Sequence, residues 1–283
     1  MVATALPGRG GQFGRHAGGG SRTDTFSAGC RRMTVTLISG VPMSRTAIRR
    51  SILAAVLVVP TALFAQKPTA QALFDKHAAA VGGVAAFKAT TARTEAGTAD
   101  ITFAGVSAGY ERKVSGGKMV MTIDVAGFGQ VVQGYDGAVA WAMDPQSGAR
   151  KMDAAMTADA ASATSLTAGL WEAGSYTSAD VLDAATFEGA SVWPVKIVGK
   201  SGRTRTVYYD QTTGLKVGEV IMLEAGEQKV VYADYKPFGA LKVPTRVTQG
   251  TPNGDIILNI MSVKFDPIDV AAFALPDAVK ALP

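Results

Sequence analysis

Apolar and polar residues alternate in short segments along most of the chain. Along residues 118–125, the four odd-numbered residues are apolar and three of the four even-numbered ones are polar. A period of two residues is typical of a β-strand that buries one face and exposes the other. Close to a dozen strands are predicted on this basis, at 93–103, 107–114, 118–125, 130–135, 139–143, 192–198, 203–209, 215–223, 228–235, 243–249 and 255–265. Many short strands without a repeated βαβ unit indicate a large antiparallel sheet that curls into an unclosed barrel.

Two stretches of the chain have helical rather than strand spacing. Residues 70–81 contain good helix formers and end at Gly82-Gly83, which is typical of a helix terminus. A second short helical turn is predicted at 84–88. Residues 153–172 are rich in Ala, Thr and Ser, and their apolar residues recur at roughly helical spacing. We therefore expect a mainly β fold in which a few short helices cover the concave face of the sheet.

The N-terminal region has the pattern of an export signal. Three arginines within residues 43–50 precede an apolar run that Pro60 interrupts. This run is shorter than the roughly 20 residues of a transmembrane helix and is followed by a polar residue, as in a secretory signal peptide. We interpret 43–65 as a signal peptide that is cleaved before Gln66. The alternative is an uncleaved N-terminal anchor.

Residues 1–42 precede this signal and are rich in Gly, Arg, Ser and Thr. They show no sustained apolar periodicity, so they are unable to build a core. We interpret them as a disordered or mis-annotated leader, with translation starting at Met33 or Met43. Residues 66–283 are expected to form a single domain.

Removing the first 65 residues changes the charge of the protein. The whole chain has 28 basic and 23 acidic residues, of which eight basic and one acidic lie within residues 1–65, so the predicted mature chain carries a net charge near −2. No basic patch remains to indicate nucleic-acid binding. Cys30, the only cysteine, also lies in the removed segment, so no disulfide is predicted. Because Gln66 rather than a cysteine begins the mature chain, we expect a periplasmic protein without a lipid anchor.

The sequence offers little for catalysis. Its two histidines are His16, in the leader, and His77, in the first predicted helix, so neither a histidine-based triad nor a metal site has a full set of partners. The Gly-x-Ser-x-Gly, His-Glu-x-x-His and P-loop motifs are absent. Carboxylates such as Asp144 and Asp153 fall in predicted turns, where acids are common. We therefore predict a protein that is not an enzyme, with no cofactor and no metal.

Methionine is prominent on the apolar sides of several predicted strands. Flexible methionine side chains suit a surface that accepts ligands of variable shape. A curled sheet with an apolar inner face, covered by short helices, could enclose an acyl chain. The alternative is that these residues only fill a core. The predicted lipid-binding residues are Met119, Met121, Ile123, Trp141, Met143, Leu166, Leu170, Trp171 and Met222.

The order of turns and hairpins resembles that of a known family. The stretches that carry this likeness are Ala80-Val81-Gly82-Gly83 with Phe87-Lys88; Gln133-Gly134-Tyr135-Asp136-Gly137 with Trp141, Asp144-Pro145 and Gly148; Tyr208-Tyr209-Asp210 with Thr213-Gly214-Leu215; and Asp234-Tyr235 with Gly239, Leu241, Val243-Pro244 and Phe273-Ala274-Leu275-Pro276. Together they span most of residues 70–276 and resemble the LolA/LolB-like outer-membrane lipoprotein-sorting proteins.

The resemblance implies an unclosed barrel with a helical lid that binds the acyl chain of a lipid or of a lipoprotein. It also implies a monomer that exchanges cargo with a receptor in the inner or outer membrane. In this family an arginine on an early strand holds the lid shut, and Arg93 and Arg112 are the candidates here.

Two other classes of function remain open from the sequence. One is a structural or assembly factor of the cell envelope that binds a protein partner through a sheet edge. The other is an exported hydrolase whose site the sequence does not reveal, since a fold alone does not fix a function.

Overall fold

The computed structural model describes residues 67–282, except residues 201, 224 and 225. The predicted leader (1–42) and the predicted signal peptide (43–65) lie outside these described residues. Within the described part of the chain, no helix is both long and apolar enough to span a membrane.

The described residues form fourteen strands of one antiparallel sheet. In chain order the strands are β1 (Ala92–Ile101), β2 (Val106–Ser115), β3 (Lys118–Val125), β4 (Gly129–Tyr135), β5 (Ala140–Asp144), β6 (Gly148–Lys151), β7 (Tyr176–Val181), β8 (Ala185–Phe187), β9 (Ala190–Gly199), β10 (Thr204–Asp210), β11 (Lys216–Leu223), β12 (Gly226–Phe238), β13 (Leu241–Thr251) and β14 (Gly254–Lys264).

Neighbouring strands in the chain are mostly neighbours in the sheet. The order is β6-β5-β4-β3-β2-β1-β14-β13-β12-β11-β10-β9-β7, with β8 paired to β9 beside β7. The pairing of β1 with β14 joins the two ends of this meander, and β6 and β7 do not pair with each other. The predicted mainly β, unclosed antiparallel sheet is therefore confirmed.

Four short α-helices and two 3-10 helices accompany the sheet in the described residues. They are α1 (Ala70–Ala80), α2 (Val84–Ala89), α3 (Ala154–Ala163), α4 (Asp277–Lys280) and the 3-10 helices Ala168–Leu170 and Val270–Phe273. The side chain of Thr69 caps α1 by accepting from the Ala72 backbone N–H, and that of Asp153 caps α3 by accepting from the Met156 N–H. Each cap satisfies a donor that has no partner within its helix.

The turn after α1 directs the chain to the sheet. Gly82 has a φ of +120°, and a Cβ atom there would lie 2.3 Å from the carbonyl oxygen of Ala240. The backbone N–H of Lys242 donates to the carbonyl oxygen of Val81 at 2.9 Å. Because only glycine fits this close approach, Gly82 fixes the end of α1 against β13.

Three strands and one turn differ from the sequence prediction. Strands β6, β7 and β8 were not predicted, because they are short and lack a run of alternating apolar residues. An Asp-Gly pair such as Asp136-Gly137 favours a two-residue hairpin turn, but residues 136–139 form a four-residue link between β4 and β5. The Asp136 carboxylate accepts from the backbone N–H groups of Ala138 and Val139, and these bonds stabilise the longer turn.

Candidate functional site

One face of the sheet packs against the helices, and we call it the covered face. Its central part is apolar and includes Ala99, Tyr110, Ile123, Val247 and Leu258, which cluster together and are buried. The strand register confirms that these residues share one face, since Val247 pairs with Leu258, and Leu258 with Ala99. Residues that pair directly across neighbouring antiparallel strands have their side chains on the same face of the sheet.

The helices cover this face at two places. Phe87 of α2 packs against the central apolar cluster. Toward β9 and β10, Leu73 and Phe74 of α1 pack against a second cluster of buried residues, made up of Trp171, Val195, Ile197, Val207 and Tyr209. The apolar side predicted for residues 70–81 is thus the side that α1 turns to the sheet.

Six of the predicted lipid-binding residues lie on the covered face or in the segment over it. Met121 and Ile123 belong to the central apolar cluster. Met119 is on the same face of β3 and is half-buried. The other three follow α3: Leu166 is half-buried, Leu170 packs with Ala78 and Val81, and Trp171 packs with α1.

The other three predicted residues lie on the opposite face of the sheet. Trp141 pairs with Gly134, one residue away from the Gln133 that pairs with Met121, so the side chains of Trp141 and Met143 point away from Met121. Met222 adjoins the inward-facing Ile221 and is 48% exposed. These three residues therefore do not join the group on the covered face.

A buried carboxylate lies among cations on the β1–β2 side of the covered face. Glu95 is 3% exposed, and its oxygens lie 2.6 Å from Arg93 Nη2 and 3.6 Å from Arg112 Nη1. Tyr110 Oη donates to Glu95 Oε2 at 3.4 Å. Burial by itself would raise the Glu95 pKa, but the two guanidinium groups outweigh it and lower the pKa. We call Glu95, Arg93, Arg112 and Tyr110 the Glu95 cluster.

A second buried carboxylate lies on the β10–β12 side of the same face. Tyr232 Oη donates to Glu219 Oε1 at 2.6 Å. Arg205 Nη1 lies 3.5 Å from the other carboxylate oxygen, and Lys216 Nζ lies 3.9 Å from Glu219 Oε1. Burial opposes ionisation of Glu219, but the two cations outweigh it and lower the pKa of this carboxyl. We call Glu219, Arg205, Lys216 and Tyr232 the Glu219 cluster.

Two buried polar groups beside the Glu219 cluster have no close hydrogen-bond partner among the described residues. They are Tyr209 Oη and Trp171 Nε1, and Trp171 Nε1 approaches the Tyr209 hydroxyl only in a weak contact. The Arg205 guanidinium lies over the Trp171 ring, 5.3 Å from its centroid, and Tyr209 pairs with Lys216 in the register of β10 and β11. Buried polar atoms usually find partners, so this pair of donors points to a function.

Helix α3 is attached to two distant strands. Arg112 of β2 donates to the carbonyl oxygen of Ala163, at the end of α3, at 2.9 Å, and Arg203, just before β10, forms an ion pair with Asp159. Strands β2 and β10 are six steps apart in the sheet, about 29 Å if it were flat. The two contacts are four residues apart on α3, about 6 Å along its axis. Since two extended arginine side chains cover only part of the difference, the sheet must curl around α3.

Among the described residues, no three His, Cys, Asp or Glu side chains are arranged to hold a metal ion. His77 is buried, and its Nδ1 accepts from the backbone N–H of Lys216 at 3.2 Å. Its contacts tie α1 to the start of β11.

The sequence named Arg93 and Arg112 as candidates for holding a lid, but it revealed neither charged cluster as a group. The signal was present in β1, where Arg93 and Glu95 occupy the same side as the small residues Gly97 and Ala99. A charge at an alternate position of an apolar strand face lies in the interior and needs a partner. That partner, Arg112, is on another strand, so the cluster is evident only once the register is known.

Solved structures of very different sequence share this fold. A LolA superfamily protein from Nitrosomonas europaea aligns with 74% of this chain and 98% of its own, at 13% identity and a TM-score of 0.52. A DUF1329 family protein from Desulfovibrio piger aligns with 72% of this chain and 96% of its own, at 11% identity and a TM-score of 0.51. No protein-family model matches the sequence. No curated protein has a significantly similar sequence. The LolA-like fold predicted from the sequence is confirmed.

Proposed function

We propose that this LolA-like protein is a periplasmic carrier that holds acyl chains between the covered face of its sheet and helices α1–α3. The observation that carries the proposal is the difference between two of these helices. Helix α1 has four buried residues, whereas none of the described side chains of α3 is buried. A helix held mainly by polar contacts at the surface opens at low cost, so α3 serves as the lid.

The covered face supplies the apolar surface that such cargo needs. Its central cluster extends without interruption from Val230 of β12 to Ile123 of β3. Opening α3 would uncover the β3 end of this surface, beside Arg112 and Met119, to an acyl chain, which gains roughly 0.8 kcal/mol for each methylene group that leaves water. The cargo in this proposal is the acyl chain of a lipid or of a lipoprotein.

The predicted export signal supports the cellular location. Cleavage of 43–65 would release a monomer without a lipid anchor into the periplasm. Such a carrier collects cargo at one membrane and delivers it at another, so a receptor in the inner or outer membrane belongs to the proposal. Intact mass measurement of the protein purified from the periplasm checks this part: a mass that starts at Gln66 supports it, and a mass that retains 43–65 contradicts it.

Acyl-chain binding is tested with residues 66–283 purified from a bacterial periplasm. Native mass spectrometry with organic extraction identifies any bound lipid, and titration with a fluorescent acyl-chain probe gives the affinity. Met119→Glu and Met121→Glu place a charge on the covered face, whereas Met222→Glu places the same charge on the opposite, exposed face. We expect the first two variants to bind the probe at least about tenfold more weakly, because a carboxylate beside Arg112 brings charge and water onto the surface that the acyl chain would contact.

Met222→Glu is the matched control and should bind like the unmodified protein. Two variants on the covered face are used because Met121 is buried and its replacement can prevent folding, while Met119 is only half-buried. Circular dichroism establishes which variants fold. A folded Met119→Glu or Met121→Glu protein with unchanged probe affinity would overturn the proposed binding face.

A second candidate function is an envelope assembly protein that binds a partner strand. The observation that favours it is β7, a six-residue strand at one end of the sheet. An end strand presents backbone groups that can pair with another chain. Crosslinking in the periplasm to one stable protein partner, together with a lipid-free mass, would favour this candidate over the carrier.

A further inference from the structure

We propose that the Glu219 cluster, with Tyr209 and Trp171, binds the singly charged oxyanion at the head of an acyl-chain ligand. This inference rests on the proposed function, because it assumes that acyl chains bind on the covered face. It adds the chemical class of the cargo: an amphiphile with one negative charge, such as a fatty-acid carboxylate or a lysophospholipid with an anionic phosphodiester.

The first argument is charge balance. The cluster contains two cations, Arg205 and Lys216, and one carboxylate, Glu219. Its net charge is +1, and the nearby His77 adds none because its pKa is lowered to about 4. A buried net charge is costly unless a counter-charge is present. One oxyanion would neutralise the cluster.

The second argument is the supply of unused donors. Tyr209 Oη and Trp171 Nε1 are buried without a close hydrogen-bond partner, apart from a weak contact with each other. The Tyr209 proton has no acceptor, and Arg205 and Lys216 share the single Glu219 carboxylate, so an oxyanion would supply the further acceptor that these donors can use. Hydrogen bonds from such donors to a charged acceptor are stronger than those to a neutral one.

The third argument is continuity with the apolar surface. Glu219 pairs directly with Val230, and Val230 is the first member of the central apolar cluster on this side. A ligand whose head lies among Arg205, Lys216 and Tyr209 can therefore extend its tail along the covered face toward Ile123. The Arg205 side chain is 28% exposed, so the head site is reached from solvent at this residue.

The arrangement also discriminates between cargo classes. An acyl chain that is esterified or amidated on a lipoprotein has no charged head and would leave the Tyr209 and Trp171 donors and the positive charge without an anionic partner. A free anionic amphiphile satisfies all of them. The inference thus favours free anionic lipid over the acyl group of a lipoprotein as the preferred cargo.

The test compares ligands that share a tail and differ in the head. Displacement of a neutral acyl-chain probe from residues 66–283 is measured with laurate, with dodecanol and with a lysophosphatidylglycerol, each below its micelle concentration. We expect laurate to bind about tenfold more tightly than dodecanol, as a charge-assisted contact provides. The lysophosphatidylglycerol shows which anionic head group the site accepts. Binding of laurate but not of lysophosphatidylglycerol indicates a carboxylate site, and comparable binding of the two ligands indicates a general oxyanion site.

Variants localise the head site. Tyr209→Phe removes a hydroxyl whose proton has no acceptor, so it should leave the fold intact and weaken laurate binding about threefold or more without affecting dodecanol binding. Glu219→Gln makes the cluster more positive and should tighten laurate binding, whereas Arg205→Gln should weaken it. Tyr208→Phe, next to Tyr209 but on the opposite face of the sheet, where it stacks on Phe187, is the matched control and should leave the preference unchanged.

The outcomes separate the two proposals. If laurate and dodecanol displace the probe equally, acyl-chain binding stands and the head site is overturned. The same holds if Tyr209→Phe and Arg205→Gln keep the full preference for laurate. If neither the probe nor any ligand binds, the proposed carrier function itself fails, and the head site fails with it.

Discussion

At the scale of single residues, buried ionisable side chains determine where this protein responds to pH. Burial, together with the nearby Lys216 ammonium group, lowers the pKa of His77 from 6.5 to about 4. The neutral imidazole accepts the Lys216 backbone N–H, and a proton on Nδ1 would remove that acceptor. Folded protein therefore resists protonation at His77, while unfolded chain accepts a proton near pH 6.5.

The first prediction concerns the pH dependence of stability. Because the folded pKa of His77 lies below the unfolded one, its contribution is present above pH 6.5 and is lost as pH falls toward 4. The free energy of unfolding should decrease by about 2 kcal/mol between pH 7 and pH 5 from this residue alone. Urea denaturation at the two pH values measures it.

His77→Gln supplies the control for this prediction. The substitution removes the only histidine of the predicted mature chain, so most of the difference between pH 7 and pH 5 should disappear. The carboxyls of Glu95 and Glu219 also have lowered pKa values, but their unfolded forms take up protons mainly below pH 5. An unchanged difference in the variant would show that His77 is not the responsible group.

The sequence predicted residues of the candidate site correctly where the apolar alternation within one strand was enough to place them on the same face. Met119, Met121 and Ile123 follow one another at a period of two, so their shared face was evident from the sequence. Trp141 and Met143 also share a face, but which face depends on the pairing of Trp141 with Gly134. A shift of one residue reverses every side chain of a strand, and this register is a property of two strands rather than one.

At the scale of elements, α3 and α1 differ in what holds them. Leu73 and Phe74 attach α1 through buried apolar contacts. Helix α3 is held by Arg112, by the Arg203–Asp159 ion pair, by the Thr157 hydroxyl that accepts from the Ala140 N–H, and by side chains that are at most half-buried. An ion pair at the surface contributes at most about 1 kcal/mol. The attachment of α3 can therefore be weakened without unfolding the rest of the protein.

The second prediction follows from this difference. Arg203→Gln should accelerate amide hydrogen exchange across α3 by about twofold to fivefold, because the lost ion pair contributes at most about 1 kcal/mol. Exchange in α1 should not change. Mass spectrometry of peptides that cover α1 and α3 measures both in the same sample.

A matched control for this experiment is Lys229→Gln. It breaks the exposed ion pair with Glu188, which lies away from α3, and should leave exchange in α3 as it is in the unmodified protein. If Arg203→Gln leaves α3 unchanged, or accelerates α1 to the same extent, α3 is not an independently opening lid.

The sequence predicted those helices and strands whose own residues carry a complete pattern. Residues 70–81 combine helix formers, an apolar side and a terminal glycine pair, so α1 needed no tertiary information. Strands β7 and β8 pair with β9, and their own sequences are short and lack a run of alternating apolar residues. Their strand conformation comes from the partner, which is why local pattern did not reveal them.

At the scale of the whole molecule, an unclosed sheet has two end strands that need protection. Strand β6 has four residues, and α4 packs beside it, with Lys151 Nζ donating to the carbonyl oxygen of Leu282. Val279 of α4 is fully buried. The C-terminal segment thus covers one end of the sheet, and an uncovered end strand tends to pair with another copy.

The third prediction is that this cover keeps the protein monomeric. Residues 66–283 should elute as a monomer, whereas residues 66–276, which lack α4, should form dimers or larger species as concentration rises. Size-exclusion chromatography with light scattering measures both. Lys280→Ala breaks only the exposed ion pair with Asp277 and should remain monomeric. A truncated protein that stays monomeric and folded would show that α4 does not guard the sheet edge.

Because α3 is attached at two points, its contacts depend on the curvature of the sheet. Arg112 and Arg203 belong to opposite halves of the sheet, and both reach the same ten-residue helix. Any spreading of the two halves lengthens at least one of these contacts. In the proposed carrier, a thin cargo would leave both contacts in place, whereas a wide one would pull the helix away from one of the two arginines. Helix α3 therefore links the two halves of the sheet, and the width of the cargo between them decides whether both contacts persist.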